Sequence, residues 1–174
     1  MITLVLGGVR SGKSAVAERL VVDRLASARD DAWRVTYLAT LDVGGDAELA
    51  ARVARHQARR PASWSTVEAG PDLPAVLRDV VGMALIDSLG PWVSASPGME
   101  ADAVALCEAL AARSGDTVVV SEEVGLAVHP STEAGRRFQD AMGAVNQAVA
   151  DCAHEVVLVV AGRTLRLDRA GEEW

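Results

Sequence analysis

Gly7-Gly8-Val9-Arg10-Ser11-Gly12-Lys13-Ser14 matches the pattern G-x-x-x-x-G-K-[ST] without a gap. The short apolar run Ile2-Thr3-Leu4-Val5-Leu6 precedes it, and an amphipathic stretch follows, with Ala15, Ala17, Leu20, Val21 and Leu25 on a common face. Each residue type has a chemical reason. Glycines let the backbone curl so that successive N–H groups point at phosphate oxygens, Lys13 supplies a point charge, and Ser14 offers a hydroxyl to Mg²⁺. A chance glycine-rich turn is the competing reading, and the strand before the motif and the helix after it argue against that. A nucleoside triphosphate is the first ligand to expect, although the motif by itself names no reaction.

Outward from this loop, short apolar runs alternate with longer stretches of helical period. Strands are expected over residues 2–6, 35–39, 64–68, 83–86, 117–120 and 155–160, with one more at 164–168. Helices are expected over 13–28, 46–59, 71–80, 99–113 and 132–153. Continuous Val/Leu/Ile runs, rather than strict alternation, describe strands covered on both faces. The expected fold class is therefore α/β, a three-layer P-loop NTPase (RecA-like) fold with a mostly parallel central sheet. In such a sheet ligands sit beyond the carboxyl ends of the strands, so the residues just after each run matter most. No internal repeat or long linker interrupts the chain, and residues 1–174 are expected to form a single nucleotide-binding catalytic domain.

Composition narrows the function classes. At 174 residues and 50% hydrophobic content, the chain can bury a full core without staples. A net charge of −7, with one Tyr and one Phe, disfavours tracking a nucleic-acid backbone or stacking on bases. No apolar run reaches the roughly 20 residues of a membrane span. The phosphate loop begins at Gly7, which leaves no room ahead of it for a cleavable signal, so a cytoplasmic location is expected. Cys107 and Cys152 stand alone in alanine-rich stretches and read as buried, reduced thiols.

Asp46 to Pro61 is the second informative segment. Asp46 can cap a helix after Gly44-Gly45, and Arg52, Arg55 and Arg59 form a basic stripe, with His56 between it and the core face of Leu49 and Val53. A half-packed histidine flanked by guanidinium groups is held neutral and draws phosphate within reach, which suits a nucleophile towards phosphorus. Taken alone, a solvated basic face with an incidental histidine is the plainer reading. Asp87, at the end of Val81-Gly82-Met83-Ala84-Leu85-Ile86, is the favoured carboxylate for Mg²⁺, with Glu123 after Thr117-Val118-Val119-Val120 as its rival and Glu68 as a third strand-tip carboxylate. His129 and His154 read as surface residues. Phe138, Met142, Val145, Val149 and Cys152 form a core stripe, whereas Arg136, Asp140, Asn146 and Gln147 read as a solvated face.

Together these segments resemble one family nearly end to end, the bifunctional adenosylcobinamide kinase/adenosylcobinamide-phosphate guanylyltransferases of cobalamin biosynthesis. The pieces are Gly7 to Ser14; Tyr37-Leu38-Ala39-Thr40; Asp46-Ala47-Glu48 leading to Arg52, His56, Arg60-Pro61 and Trp64; Asp87-Ser88-Leu89 with Trp92-Val93; Glu123-Val124-Gly125; Arg137-Phe138 with Asp140; Gly143 with Asn146-Gln147; and Glu155 to Gly162. The phosphate loop is common, but H-x-x-x-R-P after D-x-E and the late G-x-x-N-Q are discriminating.

The resemblance implies two steps. A kinase step moves a γ-phosphoryl group to the hydroxyl of adenosylcobinamide. In the second, a histidine matching His56 attacks the α-phosphorus of GTP, expels pyrophosphate and passes GMP to the substrate phosphate. It further implies that His56 and Lys13 are catalytic. Gly7, Gly8, Val9, Arg10, Ser11, Gly12, Lys13, Ser14, Ala39, Thr40, Leu41, Gln57, Ala58, Arg59, Arg60, Glu68 and Asp87 would contact nucleotide, ATP or GTP. Ser14 and Asp87 would serve Mg²⁺, and the assembly would be a homotrimer. The chain departs from the usual pattern at Glu122, where Asn is usual, at Gly90 (Thr) and at Ala95 (Asn). A simple P-loop small-molecule kinase or a regulatory nucleotide-switch ATPase is the alternative, and neither has a use for His56 as a nucleophile.

Overall fold

The computed structural model describes residues 1–28, 34–41, 44, 53–54, 58, 60–169 and 171. Its centre is a seven-stranded sheet in the order β3-β2-β4-β5-β1-β6-β7. The strands are β1 (Ile2–Gly7), β2 (Val35–Ala39), β3 (Ser65–Glu68), β4 (Met83–Asp87), β5 (Thr117–Glu122), β6 (Glu155–Val160) and β7 (Arg163–Leu167). All neighbours run parallel except β7, which turns back antiparallel on β6. The carboxyl ends of β1 to β5 therefore share one rim.

Side-chain alternation along β1 explains the layering. Ile2, Leu4 and Leu6 face one core with Ile86 and Val119, and against that core pack α2 (Leu73–Asp79), α3 (Leu89–Ala95), α4 (Ala103–Ala112) and α5 (Glu133–Cys152). Val5 faces the other core, where Ala17 and Val21 of α1 (Lys13–Ala28) meet Val35, Leu85, Val118 and Val120. Helices on both faces of a mostly parallel sheet give the three-layer α/β fold expected from the sequence. Double-sided burial holds for β1 and β4, but the residues of edge strands β3 and β7 are exposed throughout.

The principal difference from the sequence expectation is α3, a buried two-turn helix directly after Asp87 that the sequence reading left unassigned. Leu89, Trp92 and Val93 are fully enclosed, and the Trp92 indole N–H donates to the Pro71 carbonyl at 3.0 Å. The stretch expected as helix 71–80 begins as a single 3₁₀ turn at Gly70–Asp72 before α2, and α4 starts at Ala103 rather than at residue 99. The helix expected over 46–59 lies outside the described residues apart from Val53-Ala54, which are helical, and Ala58. No helix among the described residues is long and apolar enough to cross a membrane.

Cys107 on α4 and Cys152 on α5 are half-buried free thiols with their sulfurs 3.5 Å apart, so residues distant in sequence form one contact. Burial, and then the Cys152 thiol beside it, push the Cys107 thiol up to about 12, which keeps it protonated. The helix-face reading also needs correcting at α5. Asn146 is buried, accepting from the Ser121 hydroxyl at 2.5 Å and donating to the Glu122 carbonyl at 3.0 Å, so it ties α5 to the end of β5. Arg136 bonds the carbonyls of Pro130 and Ser131, each at 3.1 Å, ahead of its own helix.

Candidate active site at the carboxyl rim of the sheet

Residues 7–14 connect β1 to α1 at the middle of the rim, so the helix N-terminus and its unpaired N–H groups face the space above the sheet. The loop is held closed by backbone bonds. Ser11 N–H donates to the Gly8 carbonyl at 3.2 Å, and the Ser11 carbonyl accepts from Gly162 N–H at 2.8 Å. Gly12 has φ +94°, a left-handed conformation that side chains rarely adopt, which accounts for glycine there. Val9 and Arg10 are exposed at the tip, and Ser11 and Lys13 are buried.

Asp87 ends β4, which is separated from β1 by β5, and is half-buried. Its Oδ1 accepts the Ser14 hydroxyl at 3.2 Å and its Oδ2 the Tyr37 hydroxyl at 2.7 Å. Arg60 lies over the Tyr37 ring, 3.1 Å from its centroid. A chain of contacts thus runs from Arg60 through Tyr37 and Asp87 to Ser14. Burial, and then the negative charge and hydrogen bond of Asp87, push the Tyr37 phenol far above its ordinary range, with Arg60 opposing. Tyr37 therefore remains a donor that fixes the carboxylate.

A second carboxylate stands beside the first. Glu122, at the end of β5, accepts the Ser88 hydroxyl at 2.6 Å on Oε1 and the Gly90 N–H at 2.8 Å on Oε2, and Oε1 lies 3.7 Å from Lys13 Nζ. Glu122 and Gly90, two separate departures from the resemblance pattern, are in fact one contact. Thr40 is buried and donates to the Ser88 carbonyl at 2.5 Å, so its hydroxyl holds the rim together. The Asp87–Ser88 peptide is cis.

Of the residues read from sequence, Gly7 to Ser14, Ala39, Thr40, Arg60 and Asp87 come together at this rim. Glu68 ends β3 beside Ala39, with an exposed side chain on the sheet edge. Leu41 is half-buried just beyond β2, and Ala58 is exposed, its N–H donating to Ala54. His56, Gln57, Arg59, Arg52 and Arg55 lie outside the described residues. Glu123, the rival to Asp87, accepts its own loop's Gly125 N–H at 2.6 Å. It lines a cavity of about 600 Å³ shared with Val124, Gln139, Asn146, Gln147 and Arg169. The discriminating late motif thus borders a concavity beside α5 rather than the phosphate loop. His129 and His154 are exposed, and His154 Nδ1 accepts the Ile2 N–H at 3.0 Å. The sequence reading missed the parts played by Tyr37 and Ser88; a tyrosine in the middle of a short buried strand was the available signal for the first.

The oxygen donors Ser14 and Asp87, together with phosphate oxygens, suit Mg²⁺, which is commonly held by one or two carboxylates plus substrate phosphates. The described residues contain no cluster of three or more His, Cys, Asp or Glu side chains that could hold a metal.

Comparison with known proteins gives the same direction. A sequence model of the family described as cobinamide kinase / cobinamide phosphate guanyltransferase matches residues 3–167. The chain is 38% identical to the bifunctional adenosylcobalamin biosynthesis protein CobP of Pseudomonas aeruginosa, over 94% of this chain and 95% of the relative. It is 35% identical to the CobU protein of Salmonella typhimurium and 33% identical to that of Escherichia coli, each over 93% of this chain and 97% of the relative. With a phosphate loop, a strand-tip carboxylate and full-length similarity in agreement, the chain belongs to the cobinamide kinase / cobinamide phosphate guanyltransferase family.

Proposed function

We propose that the chain carries out both reactions of its family at this rim, on adenosylcobinamide, with guanylyl transfer passing through a covalent GMP adduct of His56. The observation that carries this reading is the convergence of Lys13, Ser14 and Asp87, with the Ser14 hydroxyl 3.2 Å from the Asp87 carboxylate. In the kinase step the substrate hydroxyl attacks the γ-phosphorus of ATP or GTP, the bond to the β-phosphate oxygen breaks, the nucleoside diphosphate leaves, and the hydroxyl proton passes to solvent. Lys13 and the N–H groups of the loop stabilise charge on the transferring group. Ser14 and Asp87 would hold Mg²⁺, which when bound neutralises phosphate charge; Tyr37 fixes the Asp87 carboxylate for that role.

In the second step a neutral His56 nitrogen attacks the α-phosphorus of GTP, a P–N bond forms and pyrophosphate departs. An oxygen of the substrate phosphate then displaces histidine from phosphorus. Arg60 follows His56 closely in sequence and is docked on Tyr37, which supports bringing that segment to the site. We further propose that the protein works in the cytoplasm as a homotrimer, the trimer being testable by light scattering of the purified protein.

Incubation with α-labelled GTP tests the covalent step. The label should stay on denatured protein, survive base and break in acid. His56→Ala should abolish labelling and guanylyl transfer while phosphorylation of adenosylcobinamide persists, because that step needs no protein nucleophile. Formation of adenosylcobinamide-GDP at the parent rate by His56→Ala would show direct transfer.

A further inference from the structure

Lys13 is 10% exposed and Glu122 21% exposed at their side chains, so the 3.7 Å ion pair between them is poorly screened by water. Among the described residues the Lys13 ammonium also meets the Gly8 carbonyl, at a long 3.4 Å. Glu122 cannot swing aside freely, because Ser88 holds one oxygen and the N–H of Gly90 the other. A phosphate approaching Lys13 must therefore displace or face this carboxylate. Gly90 makes the arrangement possible. A Cβ there would stand 2.5 Å from Glu122 Oε2 and 2.9 Å from its Cδ, forcing the carboxylate away.

We propose that Glu122 is an internal stand-in for nucleotide phosphate, neutralising Lys13 in the empty site and lowering affinity for nucleoside triphosphates, and that Gly90 is the residue that admits it. The pair sets the affinity of the phosphate loop without taking part in bond making. This inference rests on the loop being the nucleotide site.

Titration calorimetry with GTP, and separately with ATP, in excess Mg²⁺ tests it on the full chain. Glu122→Gln keeps the size and an oxygen for the Gly90 N–H but removes the charge, and should tighten triphosphate binding by about tenfold, as expected for loss of one unit of like charge a few ångströms from a multiply charged anion. Gly90→Ala should also tighten binding by displacing the carboxylate, and in a Glu122→Ala background the same substitution should change the dissociation constant by less than about twofold. Unchanged or weaker binding by Glu122→Gln overturns the proposal, as does an equal effect of Gly90→Ala with and without Glu122. If Glu122→Gln does not fold, Gly90→Ala alone carries the test. Lys13→Ala separates the two levels: parent-like GTP binding by that variant removes the phosphate-loop reading itself. Weakened binding in Lys13→Ala with no change in Glu122→Gln removes only the stand-in.

Discussion

Lys13 and Arg113 are cations set into opposite rims of the same sheet, and they differ in what their hydrogen-bond donors reach. Arg113, ahead of β5 on the amino-terminal rim, donates through Nε to the Thr117 hydroxyl at 3.1 Å and through Nη1 and Nη2 to the carbonyls of Leu77, Val80 and Gly82. All three of its nitrogens donate, tying the end of α2 and the approach to β4 to β5, and burial lowers its pKa from the ordinary arginine value. Among the described residues, Lys13, on the carboxyl rim, reaches one carbonyl at 3.4 Å and one carboxylate at 3.7 Å. Both contacts are long for a charged donor. A cation whose donors meet three backbone carbonyls and a hydroxyl is structural, whereas one with only long contacts among the described residues, at the end of a phosphate loop, is available to a ligand.

That contrast can be broken by substitution. Arg113→Ala strands three carbonyls and should cost about 3 kcal/mol or more, lowering the thermal midpoint by roughly 6–12 °C for a chain of this size, with activity per folded molecule retained. Lys13→Ala should behave in the opposite way, lowering phosphorylation of adenosylcobinamide on the order of a hundredfold while moving the midpoint far less. Calorimetry and a kinase assay on both variants decide the matter; equal destabilisation by the two would erase the distinction.

Tyr37→Phe sharpens the comparison by testing a neutral donor on the carboxyl rim. Loss of the 2.7 Å bond to Asp87 should cost about 1 kcal/mol and raise the Mg²⁺ concentration for half-maximal activity a few-fold. Its pH signature has a definite sign. The folded phenol is raised above the ordinary value of 10.0, so the native state holds this proton more tightly than the unfolded chain does. The resulting stability is fully present below pH 10 and declines above it. Tyr37→Phe should lose that part of the alkaline decline, as measured by urea unfolding at pH 8 and about pH 11.

The phosphate loop and the strand tips were legible because each is a contiguous pattern with a chemical reason for every residue. Helix α3 was not. It is only seven residues long and exposes just Ser94 and Ala95, too little polar face to set a period, and Gly90-Pro91 looks like a turn in sequence. Asn146 misled for a related reason: on a helix face an amide reads as solvated, and only the fold reveals that the face meets Ser121 and the end of β5. Glu122 and Glu123 are adjacent, and side chains alternate along a strand, so sequence named both while the structure turns Glu122 alone to Lys13. The basic segment around His56 was read by helical spacing and then by resemblance, and its role stands as a proposal.

The place of β1 in the sheet has a consequence for synthesis. Ile2 to Gly7 precede by more than a hundred residues the segments they pair with, Thr117 to Glu122 on one side and, from Thr3, Glu155 to Val159 on the other. At roughly 5–20 residues per second the first strand waits on the order of ten seconds for its second neighbour. Until then an apolar strand has both edges open, and the phosphate loop lacks the Gly162 N–H that closes on the Ser11 carbonyl. The closed form of the phosphate loop is thus completed only when β6 and the turn after it are in place, so the nucleotide site is a late product of the fold although its motif comes early in the chain.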